Sequence, residues 1–267
     1  NPLSHRPRKR FGQNFLHDQA VIERILACID SRHGQRLVEI GPGQGALTRG
    51  LLRRIGELDA IELDRDLIEP LRNRCAGLGD LRLHNADALK FDFRRLRTDD
   101  RRLRMVGNLP YNISTPLLFH LIEQADAIED MHFMLQREVV ARMAAGPGSK
   151  TYGRLSVMLQ VSCEVNALFD IGPESFHPPP KVDSSVVRLV PLTEPLIGRT
   201  EMAGFSELVA AAFAHRRKTL RNNLKGSLDA GQISALGVDP TARAESLSIE
   251  EFKRLHGALH GTPSTTA

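Results

Sequence analysis

The spacing of apolar residues predicts alternating helices and strands along the first two-thirds of the chain. Apolar residues recur at helical spacing over 21–29, and Asp18 is placed to cap that helix. Short apolar strands are predicted over 36–40, 58–63, 81–84, 103–107 and 131–135, and helices are predicted around 47–52, 67–75 and 117–124. This alternation is typical of a mostly parallel, doubly wound α/β sheet.

The pattern changes after residue 160. Two strands, predicted over 164–171 and 185–190, flank a proline-rich segment at 176–181. Their connection is too short for a helical crossover, so we predict an antiparallel hairpin at one edge of the sheet. Helical spacing then follows over 205–228, after Pro240, and over 248–259, where Ser248 begins a capping-box pattern. We therefore predict a sheet domain over 1–195 and a small all-helical domain over 196–267.

Composition excludes several classes of protein. With 267 residues, 41% hydrophobic and 25% charged, the chain is long enough to bury a substantial core and has an ordinary globular balance. No apolar run approaches the roughly 18–20 residues of a membrane span. The N-terminus is too polar for a signal peptide. The three cysteines and ten histidines have no disulfide-framework or metal-ligand spacing, so we expect a cytoplasmic protein without a metal.

The formal net charge of +4 hides strong segregation. Three clusters concentrate 15 of the 36 basic residues: 1–10, with four and no acid; 94–104, with six arginines and two aspartates; and 215–225, with five and no acid. The rest of the chain is therefore net acidic. Clusters of this kind favour contact with nucleic-acid phosphates, and a solvated helix face is the alternative.

A glycine-rich turn follows the strand over 36–40. Its sequence is Glu39-Ile-Gly41-Pro-Gly43-Gln-Gly45, and glycines in such a turn let a ligand approach the backbone closely. Glu62 lies at the end of the next strand, where a carboxylate can hold the two hydroxyls of a ribose. The turn also fits a dinucleotide fingerprint, so three interpretations remain: a site for a nicotinamide cofactor, a site for S-adenosylmethionine, and a purely structural turn. Asp87 is placed either to accept a hydrogen bond from an adenine amine or to cap the next turn.

Asn108-Leu109-Pro110-Tyr111 follows the fourth strand and favours one chemistry. Pro110 keeps Leu109 extended, so an amide, a peptide carbonyl and an aromatic ring are presented together beside the cofactor crevice. An exocyclic aromatic amine is a poor nucleophile because its lone pair is delocalised into the ring. Accepting its two hydrogens, with Asn108 Oδ1 and a backbone carbonyl, stabilises the positive charge that develops during methyl transfer. Tyr111 would stack on the base; a core tyrosine in a plain turn is the alternative.

The chain resembles the ribosomal RNA adenine dimethyltransferase family along nearly its whole length. Six motifs occur in order: Phe11-Gly-Gln13-Asn14-Phe-Leu16, the glycine turn from Glu39, Glu62, Asp87, Asn108 to Tyr111, and Phe176-x-Pro-x-Pro-x-Val182-x-Ser184. The resemblance extends into Phe213–Gly226. It implies a Rossmann-like methyltransferase sheet, with residues 1–17 forming a basic arm and a motif that closes over the methionine end of S-adenosylmethionine.

The resemblance also implies roles for individual residues. Phe176 is expected to face the target base across from the tyrosine, which makes the catalytic set Asn108, Leu109, Pro110, Tyr111 and Phe176. The expected S-adenosylmethionine contacts are Gln13, Asn14, Leu16, Glu39, Gly41, Gly43, Gly45, Glu62, Leu63, Asp87, Ala88 and Asn108. The expected RNA contacts are Arg8, Lys9, Arg10, Arg216, Arg217, Lys218, Arg221 and Lys225. No role is predicted for the cluster at 94–104.

The implied reaction is dimethylation of the amino groups of two adjacent adenosines near the 3′ end of small-subunit ribosomal RNA during ribosome assembly. We expect a monomer that acts on RNA within an assembling small subunit, without membrane or metal. Three alternatives remain: a large-subunit methyltransferase of the macrolide-resistance type, a nicotinamide-dependent oxidoreductase, and an RNA-binding assembly factor whose methylation is incidental.

Overall fold

The computed structural model describes residues 13–260. Its largest sheet is mixed and has seven strands. The strands are β2 (Arg36–Ile40), β3 (Glu57–Glu62), β4 (Asp80–Asn85), β5 (Leu103–Asn108), β6 (Ile128–Gln136), β7 (Cys163–Ile171) and β9 (Ser184–Pro191). Their spatial order is β4-β3-β2-β5-β6-β9-β7. The first five are parallel and β9 is antiparallel to β6. The prediction of a mostly parallel sheet with an antiparallel edge is confirmed.

Helix α1 (Gln19–Ile29) precedes the sheet, and helices α2 (Thr48–Ile55), α3 (Arg65–Cys75) and α4 (Ser114–Ile122) connect parallel strands. Asp18 caps α1 as predicted, since its carboxylate accepts from the backbone N–H groups of Ala20 and Val21 at 2.9 and 3.2 Å. Strands β2 and β3 are buried along almost their whole length, which explains why apolar residues occur on both of their faces, although both strands also contain buried acids.

A second, two-stranded sheet was not predicted. Strand β1 (Phe15–Leu16) pairs antiparallel with β8 (Phe176–His177), with Leu16 opposite Phe176. The backbone N–H of His17 continues this pairing by donating to Ser175 O at 3.0 Å. The first described residues of the chain are thereby fixed to the proline-rich segment.

The remaining helices are α5 (Arg137–Met143), α6 (Arg154–Gln160), α7 (Met202–Ala212), α8 (Leu220–Asn223), α9 (Ala230–Ala235) and α10 (Ile249–His260). The predicted capping box at Ser248 is present, because its side chain accepts from Glu251 N at 3.2 Å while Glu251 accepts from Ser248 N at 2.8 Å. Aromatic packing forms the core of this part of the chain, with the Phe213 and Phe252 ring centroids 5.8 Å apart.

Contacts divide the chain differently from the predicted boundary at 195/196. One compact unit contains the described residues up to Val140 together with Asn166–Pro191, and the other contains Ala141–Val165 together with the described residues from Leu192. Residues 141–165 pack with the C-terminal helices because Tyr152 is buried there. Its hydroxyl donates to Leu247 O at 2.8 Å and its ring lies 6.2 Å from that of Phe213. The sequence did not indicate that residues 141–165 belong to the second unit, because their short helices have no strong apolar pattern.

The single helix predicted over 205–228 is wrong. Helix α7 ends at Ala212, and helical structure resumes only in the four residues of α8. Thr219 is extended, with ψ of 160°, and the Asn223 amide donates to Ala212 O at 2.7 Å and to His215 O at 3.1 Å. The side chain of Asn223 thus satisfies carbonyls at the end of α7, which stabilises the break. Leu220, Leu224 and Leu228 are nevertheless buried, although only Leu220 lies within α8.

None of the helices within residues 13–260 is long and apolar enough to cross a membrane.

Candidate active site

The candidate site lies where the order of the parallel strands reverses. The chain runs from β2 outward through β3 and β4, and then returns to β5 on the other side of β2. The carboxyl ends of β2 and β5 therefore meet, and a Cβ added to Gly41 would lie 3.6 Å from Asn108 O. Ligands of open α/β sheets bind in the crevice at such a switch point. A cavity opens here, and it is lined by residues from both strand ends.

The glycine turn has the backbone that its sequence predicts. Gly41, Gly43 and Gly45 all have positive φ values, of 66°, 56° and 89°. A Cβ at Gly43 would lie 3.1 Å from the ring of Phe15, which belongs to β1. A side chain at this position is disfavoured both by the positive φ and by the close approach of the ring. The turn thus brings bare backbone to the cavity wall.

Glu62 occupies the predicted position beside this turn. Its carboxylate accepts from Gly43 N at 3.1 Å and from Asp64 N at 2.8 Å. Burial raises its pKa, although the backbone N–H groups oppose the shift. The side chain is 6% exposed and lines the cavity. A carboxylate held by two backbone donors keeps a fixed direction, as recognition of a ribose diol requires.

Glu39 is the second carboxyl group of the cavity. It is 2% exposed, and its Oε2 accepts from Thr48 Oγ1 at 2.6 Å. Burial raises its pKa from 4.5 to about 8, and the charge of Glu62 adds to the shift. Positive charge on a ligand, such as the sulfonium of a nucleoside, would oppose these shifts and favour the ionised form of both acids.

Asp87 caps the turn after β4 and also lines the cavity. Its Oδ1 accepts from Leu89 N at 3.0 Å, which caps the turn after β4. The residue also lines the cavity together with Ala88 and Leu63. Capping orients the carboxylate at the cavity wall, so the capping role and a ligand contact are compatible.

The Asn108 amide has a defined orientation. Its Nδ2 donates to Asn14 O at 2.9 Å, which directs Nδ2 to the N-terminal segment and leaves Oδ1 as the acceptor end. The loop after it is held by Leu109 N, which donates to Met134 O at 3.2 Å. Asn108, Leu109, Pro110 and Tyr111 all line the cavity beside the glycine turn. The structure therefore brings the predicted amine-binding group and the predicted cofactor-binding group into one space.

Tyr111 and Phe176 have different environments. Tyr111 is half-buried and lines the cavity, and its hydroxyl is hydrogen-bonded to Ser184 Oγ. Phe176 is 2% exposed, belongs to the hydrophobic core and does not line the cavity. The expectation that it faces a base across from Tyr111 is not met in this structure, because pairing of β8 with β1 turns it into the core.

Most predicted cofactor contacts line the cavity. These are Gln13, Asn14, Leu16, Glu39, Gly41, Gly43, Glu62, Leu63, Asp87, Ala88 and Asn108. Gly45 does not, and it instead packs against Leu71. Sequence reasoning missed further lining residues, namely Phe15, Ile40, Pro42, Gln44, Ala46, Leu47, Ile61, Leu67, Ala86, Asn112, Ile113 and Met134. Many are neighbours of predicted residues, whereas Met134 on β6 carries no signal in the sequence.

The basic cluster at 94–104 is largely neutralised within the fold. Arg94 pairs with Asp126 at 2.9 Å and Arg101 with Asp99 at 2.6 Å. Arg104 is buried, and its guanidinium binds both oxygens of Asp130, at 2.9 and 3.0 Å. These contacts give the cluster, for which no role was predicted, a structural one.

The basic residues of 215–225 do not share one helix face. Arg217 precedes α8, Arg221 lies in it, and Lys225 follows it, so the three do not lie on one helix as the helical spacing over 205–228 predicted. All five basic residues of the cluster are exposed. Arg216 is engaged internally, because it pairs with Glu245 at 3.3 Å and donates to Lys150 O at 2.8 Å. Arg8, Lys9 and Arg10 lie outside the described residues.

A metal centre finds no support in the described part of the chain. Residues 13–260 contain no group of three or more His, Cys, Asp or Glu side chains placed to hold a metal ion.

Comparison with known proteins agrees with the site. A family model described as ribosomal RNA adenine dimethylase matches residues 4–260. Ribosomal RNA small subunit methyltransferase A from Nitrosococcus oceani is 58% identical over 255 residues, which cover 96% of this chain and 97% of that protein. The protein of the same name from Pseudomonas aeruginosa is 56% identical over 259 residues, which cover 97% of each chain.

Solved structures give the same result. A dimethyladenosine transferase from Plasmodium falciparum superposes with a TM-score of 0.76 at 25% identity, covering 90% of this chain and 95% of that one. The 23S rRNA methyltransferase ErmE superposes with a TM-score of 0.73 at 26% identity, covering 92% of this chain and all of that one. The family match spans nearly the whole sequence, and the chain therefore belongs to the ribosomal RNA adenine dimethylase family.

Proposed function

We propose that this chain transfers methyl groups from S-adenosylmethionine to the exocyclic amines of two adjacent adenosines near the 3′ end of small-subunit (16S) ribosomal RNA. Family membership supports ribosomal RNA as the substrate and adenine as the target. The names of the relatives at 56–58% identity support the small subunit.

The orientation of the Asn108 amide carries the proposal. With Nδ2 donating to Asn14 O, Asn108 keeps Oδ1 as an acceptor, and it lines the same cavity as Tyr111 and the glycine turn. An adenine amine that donates to Oδ1 and to a carbonyl of the Leu109–Pro110 segment has its lone pair directed away from both. The developing positive charge on nitrogen is then stabilised by these acceptors, and no strong general base is needed.

The cavity suits the cofactor on the same grounds. Bound there, S-adenosylmethionine would supply an electrophilic methyl group on a positively charged sulfur. Glu62 would hold the ribose hydroxyls, Asp87 and Ala88 would contact the adenine, and Gln13, Asn14 and Leu16 would close over the methionine end. In the transfer, the adenine nitrogen would gain the methyl group as the bond from that group to sulfur breaks, and the nitrogen would then lose a proton to water.

RNA binding is assigned to the exposed basic residues. Arg217, Lys218, Arg221 and Lys225 lie on the surface of the helical unit, and Arg8, Lys9 and Arg10 would add a basic arm. We infer recognition of backbone and shape rather than a long single-strand groove, because 5% of the residues are aromatic and tryptophan is absent from the sequence. The enzyme would act as a cytoplasmic monomer on an assembling small subunit.

The test is methyl transfer to unmethylated small subunits and, separately, to unmethylated large-subunit RNA, followed by mass spectrometry of the nucleosides. We expect dimethyladenosine only from the small-subunit reaction. Product from the large-subunit RNA alone would support the macrolide-resistance alternative. Binding of a nicotinamide dinucleotide without binding of S-adenosylmethionine, measured by calorimetry, would overturn the proposal.

A second arm tests the assembly-factor alternative. Asn108→Ala removes the proposed acceptor and should abolish transfer, while Tyr152→Phe, in the other unit, is the control with retained transfer. If cells carrying Asn108→Ala assemble ribosomes normally whereas cells lacking the protein do not, methylation is incidental and the assembly role is primary.

A further inference from the structure

The hydroxyl of Tyr111 is bound from a distant part of the chain. Tyr111 Oη and Ser184 Oγ are hydrogen-bonded, although the two residues are 73 positions apart in sequence. Ser184 is 1% exposed, begins β9 and lies opposite Gln136 of β6 in the sheet. It does not line the cavity, whereas Tyr111 does. Ser184 therefore contacts Tyr111 from outside the cavity.

The backbone of Tyr111 is bound as well. Its carbonyl accepts from Ser114 Oγ at 3.1 Å, at the start of α4, and Ile113 N donates to Pro110 O at 3.2 Å. With backbone and hydroxyl both held, the long axis of the ring is fixed. The remaining freedom is rotation about that axis. A phenol hydroxyl makes its hydrogen bonds near the ring plane, so the position of Ser184 Oγ also selects the orientation of the ring.

We propose that Ser184 is a positioning residue that sets the ring of Tyr111 before the target adenine enters. The inference rests on the proposed function, in which Tyr111 stacks on the base. A ring with a preset orientation does not lose rotational freedom when the base binds. The free energy of stacking can therefore align the amine with Asn108. Ser184 then influences the rate of transfer without contacting RNA or cofactor.

The hydrogen bond between Ser184 and Tyr111 also explains how the segment over 176–184 belongs to the site although Phe176 is buried. Asp183, next to Ser184, pairs with Arg137 at 2.7 Å, and the backbone N–H of Arg137 donates to Asp183 O at 3.0 Å. The start of β9 is thus held firmly against the end of β6. The segment over 176–184 reaches the reaction through this serine, not through its aromatic residue.

The experiment is a double-mutant cycle on methyl transfer. Ser184→Ala and Tyr111→Phe should each lower kcat about tenfold, as expected for one hydrogen bond, with KM for RNA and affinity for S-adenosylmethionine within about twofold of wild type. The double variant should be no slower than either single variant, because both changes remove the same interaction. Ser184→Thr retains the hydroxyl and should restore most of the rate.

Ser185→Ala is the matched control. Ser185 is the next residue on β9, is 2% exposed, and bonds Asp170 instead of the tyrosine. It should alter stability about as much as Ser184→Ala while leaving kcat unchanged. If it slows transfer equally, or if the losses at Ser184 and Tyr111 add in the double variant, Ser184 has only a structural role and the inference is overturned.

A spectroscopic arm does not depend on catalysis. The sequence contains two tyrosines and no tryptophan, so in a Tyr152→Phe background Tyr111 is the sole tyrosine chromophore. Ser184→Ala should shift its ultraviolet absorption, and Ser185→Ala should not. An unchanged spectrum in Ser184→Ala would refute the hydrogen bond between Ser184 and Tyr111. Wild-type enzyme that methylates no adenosine refutes the proposed function, and the positioning role with it; failure of the cycle alone leaves the proposed function intact.

Discussion

Replacement of Glu39 by Gln should change how the stability of the protein depends on pH. Glu39 is 2% exposed at the wall of the cavity, and burial together with the charge of Glu62 raises its pKa from 4.5 to about 8. In the unfolded chain this carboxyl group titrates near its ordinary value. Between these two pKa values the folded protein holds a proton that the unfolded chain has lost.

The sign follows from that difference in bound protons. Where the folded state binds more protons, stability falls as pH rises. The stabilisation associated with Glu39 is therefore fully present below about pH 4.5 and is lost as pH rises through about 8. Each unit of pKa difference corresponds to about 1.4 kcal/mol, so the loss between about pH 5 and about pH 8 is roughly 3–4 kcal/mol.

Urea unfolding of the cofactor-free protein, followed by circular dichroism across this pH range, measures the effect. The free energy of unfolding of wild type should decline by a few kcal/mol more than that of Glu39→Gln, whose amide does not titrate. Thr48→Val is the companion variant. It removes a hydrogen bond that lowers the pKa of Glu39, so the decline should extend to higher pH. Parallel pH profiles for wild type and Glu39→Gln would refute the reasoning.

Three further predictions concern other parts of the chain. Gly43→Ala places a side chain at a φ of 56°, 3.1 Å from a phenylalanine ring, and should weaken S-adenosylmethionine binding at least about tenfold by calorimetry, with unchanged affinity as the contrary result. Arg104→Ala removes the two shortest contacts of the buried Asp130, whose other cation, Arg188, lies 3.5 Å away, and should cost about 3 kcal/mol in urea unfolding, clearly more than loss of the exposed pair in Arg101→Ala; equal losses would contradict this. Reversing the charge of Arg217 and Arg221 should flatten the salt dependence of RNA binding by about 0.7–0.9 in log–log slope per lost contact, and an unchanged slope would exclude phosphate contact there.

The parts of the site that were predictable are those where one residue type answers a local constraint. The largely apolar sequences of β2 and β3 reflect burial on both faces, and the glycines at 41 and 43 reflect positive φ values that other residues rarely adopt. Asn108 follows β5 directly. These features bring chemistry to one sheet edge through topology alone, so the cavity was predictable in position.

The parts that were not predictable depend on contacts between distant segments. Strand β1 is two residues long and has no pattern of its own; it exists because Phe176 and His177 pair with it. That pairing places Phe176 in the core, which the family resemblance alone did not indicate. The tie between Tyr111 and Ser184 has the same origin, since no spacing in the sequence announces a hydrogen bond across 73 residues.

The basic clusters show why net charge and charge runs are weak guides without partners. In the sequence, 94–104 and 215–225 look alike, yet the first consists largely of arginines whose partners lie elsewhere in the fold, such as Asp126 and Asp130. In the second, Arg216 is paired with Glu245, while Arg217, Lys218, Arg221 and Lys225 are exposed and form no ion pair with other residues of the described range 13–260. A phosphate that meets these four displaces only counterions, whereas one that meets the first cluster must first break an existing pair. Charge available for RNA is therefore concentrated in the turn-rich segment around α8, and the break in the predicted helix is what spreads it over more than one face.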